Sequence, residues 1–328
     1  MKSKRLAVIL LLSAVILVLT PFTAAVKGSE RAPVAVDASF KTYSGVSVKG
    51  ALRASDRGEF VFNVKSRPKK GELTLENEVF EYTPKEGKSG KDRFTFTVTD
   101  EKGRESLPAT VEIEIIKRGA KDSFSYCDME GDPAHYSALF LKYKGIMSGE
   151  SFGKDNFFYP DREVTRAQFV AMTAAALNMP VPASNIGTGM ADDEDVPAWA
   201  RSSVAAAIDA GAVYGEKGKD GNRVFRPNDG ITVAEAASVL DRALGLAPDG
   251  REVFFSDKDL IPSWAARSVV NAFSCGLIGT DADNAVNPYK TVTRAEAAKM
   301  FCAALELKRE PASGKRVFAV LFGSDNAV

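Results

Sequence analysis

The sequence predicts a multidomain chain: an all-β sandwich in front and, behind it, an all-α unit made from three copies of a two-helix repeat. Three observations carry this. Apolar residues alternate with period two between residues 33 and 116, which puts one face of a strand on a core and the other in water. Three sequence anchors then recur in fixed order, spaced 67 and 61 residues from Thr165 to Thr232 to Thr293. Finally, 328 residues exceed one ordinary domain.

The amino terminus comes first. Lys2, Lys4 and Arg5 precede an apolar run over residues 6–19, broken by Pro21 and followed by Thr23-Ala24-Ala25. This is the pattern of a secretory signal, with cleavage expected after Ala25 and residues 1–25 as the leader; the alternative is an uncleaved anchor. Either places the rest of the chain outside the cytoplasmic membrane, and no later stretch has the length and apolarity to span a bilayer.

The strands of the front domain, residues 32–118, follow in order. Val34-Ala35-Val36 and Val46-Ser47-Val48 open it. Phe60, Phe62 and Val64, then Leu73 and Leu75, then Phe80 and Tyr82 continue the alternation. Phe94, Phe96 and Val98 alternate with threonines, and Val111, Ile113 and Ile115 alternate with Glu112 and Glu114. Turn-forming clusters separate these runs at residues 55–58, 67–71, 84–90 and 100–103. About seven short strands are the pattern of a β-sandwich. Ala54-Ser55-Asp56, Pro68 to Leu73, Phe80 to Pro84 and, most specifically, Gly90 to Asp100 resemble the bacterial Ig-like and cadherin-like repeats of surface proteins. That resemblance implies a stalk or an adhesion module. The acidic calcium loop of many such repeats reads Asp56-Arg57-Gly58-Glu59 here, with a cation in its middle, so calcium is not expected.

After a linker at residues 119–125, the repeats occupy residues 126–181, 189–247 and 253–308. The first anchor is an acidic opening followed by proline and a short helix: Met190-Ala191-Asp192 with Val196-Pro197-Ala198-Trp199-Ala200, and Phe255-Ser256-Asp257 with Ile261-Pro262-Ser263-Trp264-Ala265. The first repeat is a worn copy, Tyr126-Cys127-Asp128 with Asp132-Pro133-Ala134-His135-Tyr136. The second anchor is a helix-closing glycine, Gly145, Gly211 or Gly276. The third is a proline loop (Phe158-Tyr159-Pro160, Phe225-Arg226-Pro227, Val286-Asn287-Pro288) leading into Thr165-Arg166-Ala167-Gln168, Thr232-Val233-Ala234-Glu235 or Thr293-Arg294-Ala295-Glu296. Threonine with Gln or Glu three residues on is a capping box that opens a helix. A two-helix repeat buries too little alone, so the three are expected to pack as one unit. A tail at residues 309–328 contains the apolar stretch 317–322, which suits a short strand or helical turn.

The ordered set of anchors, three times over, resembles the S-layer homology repeats. The resemblance implies a pseudo-threefold helical trimer with grooves between repeats, and non-covalent anchoring of an exported protein at the cell wall and surface layer. It implies a secondary cell-wall polysaccharide, often carrying pyruvate ketals, as ligand; some relatives bind modified peptidoglycan instead. A ketal-linked pyruvate is a carboxylate, and arginine at a helix start suits it. Arg294 and Arg166 stand there, with Val233 at the same place in the second repeat. Trp264 and Trp199 suit either sugar stacking or helix packing, and Asp257 joins them as a candidate contact.

Composition narrows the alternatives. Lys plus Arg and Asp plus Glu are 43 each, without the basic excess of a nucleic-acid binder. A single histidine, His135, makes a His-based metal site or a Ser-His-Asp arrangement hard to build. No cofactor, resident metal or catalytic residue is expected. The acids at 192–195 are read as a solvated loop. Cys275 and Cys302 could pair, but buried thiols are the simpler expectation. The competing functions are a self-assembling surface-layer component and a wall-active enzyme; little chain remains for a lattice domain and none for a catalytic one. Other surface proteins are possible partners of the front domain.

Overall fold

Seven strands build the front domain of the chain in a computed structural model that describes residues 31–55, 58–119, 124–182, 187–247, 253–281 and 283–309. They are β1 Ala38–Tyr43, β2 Val48–Ala51, β3 Phe60–Ser66, β4 Gly71–Glu76, β5 Val79–Pro84, β6 Gly90–Asp100 and β7 Ala109–Ile116. One sheet has the order β1-β7-β6-β3 and the other β2-β5-β4. Only β1 and β7 run parallel; the remaining pairs are antiparallel. Phe80, Tyr82, Phe94, Phe96, Val98, Val111, Ile113 and Ile115 meet between the sheets and are almost wholly buried. The period-two pattern thus becomes a sandwich core.

One expectation is corrected. The run Val34-Ala35-Val36 contributes only an isolated bridge, Ala35 to Ala54. The first strand is β1, which alternation did not mark and which forms because β7 offers it a full parallel register.

The most specific run of this domain, Gly90 to Asp100, has a polar anchor. The Asp92 carboxylate is 7% exposed and accepts hydrogen bonds from the Lys69, Lys70 and Arg93 amides and from the Tyr82 hydroxyl, at 2.9, 2.7, 3.0 and 2.8 Å. Burial alone would raise its pKa, but these donors outweigh it and hold the carboxyl below its ordinary value. Gly71, the first residue of β4, lies against the Tyr82 ring, where a Cβ would come within 2.4 Å, so this strand start requires glycine.

Among the described residues the second half holds six α-helices: α1 His135–Tyr143, α2 Arg166–Leu177, α3 Ala198–Asp209, α4 Val233–Leu244, α5 Ala266–Ser274 and α6 Arg294–Arg309. It is not all-α as expected. Two small hairpins, β8 Glu150–Phe152 with β9 Asp155–Phe157 and β10 Glu216–Lys217 with β11 Arg223–Val224, stand between the helices of the first two repeats.

The helices do not pair within their own repeats. α3 packs on α2, α5 on α4, and α1 on α6, while α2, α4 and α6 meet one another. Each first helix therefore leans on the second helix of the preceding repeat, and α1 closes the circle by leaning on the last. Backbone bonds repeat that circle: the Val164 amide donates to Val292, Val292 to Ile231 and Ile231 to Val164, at 2.9, 2.9 and 3.0 Å. Phe169 and Phe301 meet in the shared core with centroids 4.8 Å apart and their rings tilted by 40°.

The front domain also touches this unit. Tyr43 of β1 packs against Tyr136 and Tyr143 of α1 with centroids 5.2 and 5.8 Å apart, and Lys41 pairs with Glu306 at 2.6 Å. These contacts cover an edge strand, which otherwise presents unpaired backbone groups.

Cys302 is a free, fully buried thiol, so it makes no bond to Cys275. Burial pushes its pKa up to about 12, which makes it unreactive. The expected leader, Asp56-Arg57, most of the linker and the carboxyl-terminal tail beyond 309 lie outside the described residues.

His135 stands where the other repeats have tryptophan, yet it is 4% exposed, and its Nε2 lies 3.1 Å from the Ser125 hydroxyl. Burial, helped by the Arg118 charge, lowers its pKa to about 4. The neutral ring is therefore favoured in the folded state. Its contribution to stability is complete above the unfolded value of about 6.5 and is lost as pH falls toward 4. We expect about 2 kcal/mol of loss between pH 7 and pH 5 from this group. Denaturant midpoints of the wild-type and His135→Phe proteins at both pH values check this: the variant is to show a smaller drop.

Candidate functional site

The openings of the three repeats perform one local task. The Asp128 carboxylate accepts the Phe158 and Tyr159 amides at 2.8 and 2.7 Å. Asp192 holds Phe225 and Arg226 at 2.7 and 2.6 Å, and Asp257 holds Val286 and Asn287 at 2.9 and 2.7 Å. Each aspartate thus pins the proline loop of its own repeat. The second residue of each loop, Tyr159, Arg226 or Asn287, has φ between 54° and 58°, a conformation that side chains avoid and that the paired hydrogen bonds offset. Asp257, a candidate ligand contact, has both oxygens engaged in this way.

The pinned loops then cap the helices across repeats. The Arg166 and Ala167 amides donate to Asp229 and Pro227 carbonyls at 2.9 and 3.0 Å. Val233 and Ala234 donate to Lys290 and Pro288, and Arg294 and Ala295 to Arg162 and Pro160. These are the amides that a helix start leaves without partners. Because neighbouring loops occupy them, an anion here would meet side chains rather than free helix amides. Thr165 with Gln168 and Thr232 with Glu235 form reciprocal capping boxes, and Thr293 and Glu296 exchange the same two bonds.

Arg294 and Arg166 are held alike at the backbone and differently at the tip. The Nε of each donates to a loop carbonyl, Phe158 or Phe225, at 2.7 Å, and each guanidinium lies over that phenylalanine ring. Arg166 is 7% exposed and pairs with Glu235 at 2.5 Å and Glu216 at 3.5 Å. Glu216 also takes Arg226 at 2.6 Å. Arg294 instead donates to the Ser148 carbonyl at 2.7 Å, and among the described residues no carboxylate lies within ion-pair distance of it. Burial first, then the neighbouring Arg162 charge, push its pKa down from the ordinary arginine value; a guanidinium still keeps its proton at neutral pH.

Arg294 borders a groove with a volume of about 230 Å³. Ile146, Met147 and Ser148 enter it from the turn after α1, Gln168, Ala171 and Met172 from α2, and Trp199 from α3. All three repeats therefore contribute. Trp199 is 61% exposed, so it is no core packing residue, and its ring forms an aromatic wall beside a cation and an amide. Trp264 is likewise 56% exposed, at the equivalent place one repeat on. The third equivalent place holds buried His135, with Val233 in place of arginine. The structure thus brings Arg294 and Trp199 together and leaves Arg166 in an ion-pair network. Gln168, expected only as a cap, lines the groove; its spacing from Thr165 revealed the cap, but nothing local revealed Arg294 opposite it. Among the described residues no cluster of three or more His, Cys, Asp or Glu side chains is arranged to hold a metal.

Comparison with known proteins places residues 30–117 in the family described as bacterial cadherin-like domain. Residues 128–170, 190–237 and 254–298 each match the S-layer homology domain. An S-layer protein of Bacillus thuringiensis subsp. finitimus is 32% identical over 199 residues, covering 59% of this chain and 23% of that protein. The exoglucanase XynX of Acetivibrio thermocellus is 32% identical over 191 residues, 57% of this chain and 17% of that one. A cellulosome-anchoring protein of the same species is 26% identical over 157 residues, 46% of this chain and 33% of that one. The chain spans a third or less of the length of these relatives.

Proposed function

We propose, for a chain that carries a bacterial cadherin-like domain followed by three S-layer homology domains, that it is a cell-surface protein attached non-covalently to the cell wall. The groove of Arg294, Gln168 and Trp199 is the attachment site, and its ligand is an acidic secondary wall polysaccharide bearing a carboxylate such as a pyruvate ketal. The observation that carries this reading is Arg294, a half-buried cation without a carboxylate partner among the described residues, beside an exposed tryptophan. A guanidinium of that kind suits a carboxylate, and an indole face suits the apolar face of a sugar ring. The circle of backbone bonds supports reading the repeats as a pseudo-threefold assembly. The front domain projects from it as a stalk or adhesion module.

The chain is read as a binding protein rather than an enzyme. Relatives named as an exoglucanase, an S-layer protein and a cellulosome-anchoring protein share segments with it. What such different proteins have in common is better explained by attachment than by one catalytic chemistry. Modified peptidoglycan is the alternative ligand, and co-sedimentation decides between the two. The purified chain is to pellet with walls and to stay in solution once the secondary polymer has been chemically removed. Undiminished pelleting after removal sinks the polysaccharide reading.

A further inference from the structure

The repeats share one frame, so the residues around Arg294 can be compared place by place with those around Arg166, the equivalent place one repeat on, here called the second groove. At the first groove the five polar places compared, the arginine included, are Arg294 and Gln168, which line it, with Tyr159, Glu150 and Arg162 nearby: two cations against one carboxylate. In the second they are Arg166, Arg226, Glu216, Glu235 and Asp229: two cations against three carboxylates. The contacts follow the count. Arg162 takes Glu150 at 2.8 Å, which leaves Arg294 to backbone carbonyls. In the second groove Arg226 approaches Glu216, Glu235 and Asp229 at 2.6, 3.7 and 3.4 Å, and Arg166 takes Glu235 as well.

The deciding place is the third residue of the capping box. One oxygen of Glu235 accepts the Thr232 amide at 2.9 Å, and its other oxygen takes Arg166. The Gln168 oxygen accepts the Thr165 amide at 3.0 Å. The atom left over is therefore a carboxylate oxygen in the second groove and an amide NH2 in the first. The NH2 can only donate, so Gln168 and Arg294 both offer donors to the first groove, as an anion requires.

We infer that the chain has a single acid-accepting groove, and that Gln168, by standing where Glu235 stands in the next repeat, is the residue that keeps it selective for a carboxylate. Glu235 makes the second groove self-neutralised. This inference rests on the proposed attachment site and deepens it.

The test uses a methyl hexoside bearing a pyruvate ketal, and the methyl ester of the same compound, titrated calorimetrically into the purified full-length chain. The wild type is to bind one acid probe per chain and to prefer the acid over the ester by on the order of tenfold or more, the size expected of a charge-assisted contact. Gln168→Glu imports the residue that two other repeats already use, so the cap is retained and the melting temperature is to hold. Its preference for the acid is to vanish. Gln168→Ala removes the cap without adding a charge and is to keep the preference, at lower affinity. Loss of acid preference in Arg294→Ala together with an unchanged preference in Gln168→Glu overturns the inference while the attachment site stands. Two acid probes per wild-type chain overturn it as well. A wild type that does not distinguish acid from ester overturns the inference and the carboxylate reading together.

Discussion

Arg294→Ala is expected to weaken binding to isolated walls by about ten- to a hundredfold, the loss of one or two charge-assisted hydrogen bonds in a partly desolvated site. Val233→Ala, the equivalent place in the second repeat, is expected to change it little. The difference follows from geometry: Arg294 borders the groove, while Val233 is a buried apolar residue. Of the two carbonyls that now accept from Arg294, that of Ser148 belongs to a groove-lining residue, and removing the side chain opens space through which water can reach the Phe158 carbonyl. The fold should therefore tolerate the change, and a melting temperature close to wild type is the control. Pelleting assays on both variants at two salt concentrations supply the measurement. Equal, negligible effects would assign Arg294 a purely structural role.

Phe301→Ala is expected to cost about 3–5 kcal/mol, the range for emptying a large buried aromatic site. Phe301 is 0% exposed, lies on α6 and packs on Phe169 of α2. Both helices belong to the set that joins the first repeat to the last. The loss should therefore spread through the whole helical unit instead of staying in one repeat. The sandwich core contains no residue of the repeats, so far-UV circular dichroism is to report helix melting at lower denaturant. Fluorescence of Trp199 and Trp264, which both lie in the helical unit, is to move with it. A shift below about 1 kcal/mol would mean that the site collapses around the cavity.

Features set by short-range chemistry were legible without coordinates. The strands of the front domain follow from period-two alternation, although β1 did not, because its partner β7 lies far along the chain and only pairing selects it. The capping boxes follow from three-residue spacing, and all three pairs of bonds are made. The hairpins β8–β9 and β10–β11 were missed because a two- or three-residue strand carries no readable period. Trp199 and Trp264 could be read either as packing or as contact residues; the way each repeat docks on its neighbour settled that both are exposed.

The sequence by itself determined that there are two architectures, three copies of one helical repeat, and caps at fixed places, since each rests on backbone preference and apolar periodicity within a few residues. The tertiary structure alone decided which helices pair, since α1 leans on α6 and not on its own repeat. It also decided which arginine has no carboxylate partner among the described residues. Arg166 and Arg294 sit in nearly identical local sequences. What separates them is whether the neighbouring repeat presents Glu235 or Gln168 opposite the guanidinium, a charge balance set between residues far apart in the chain.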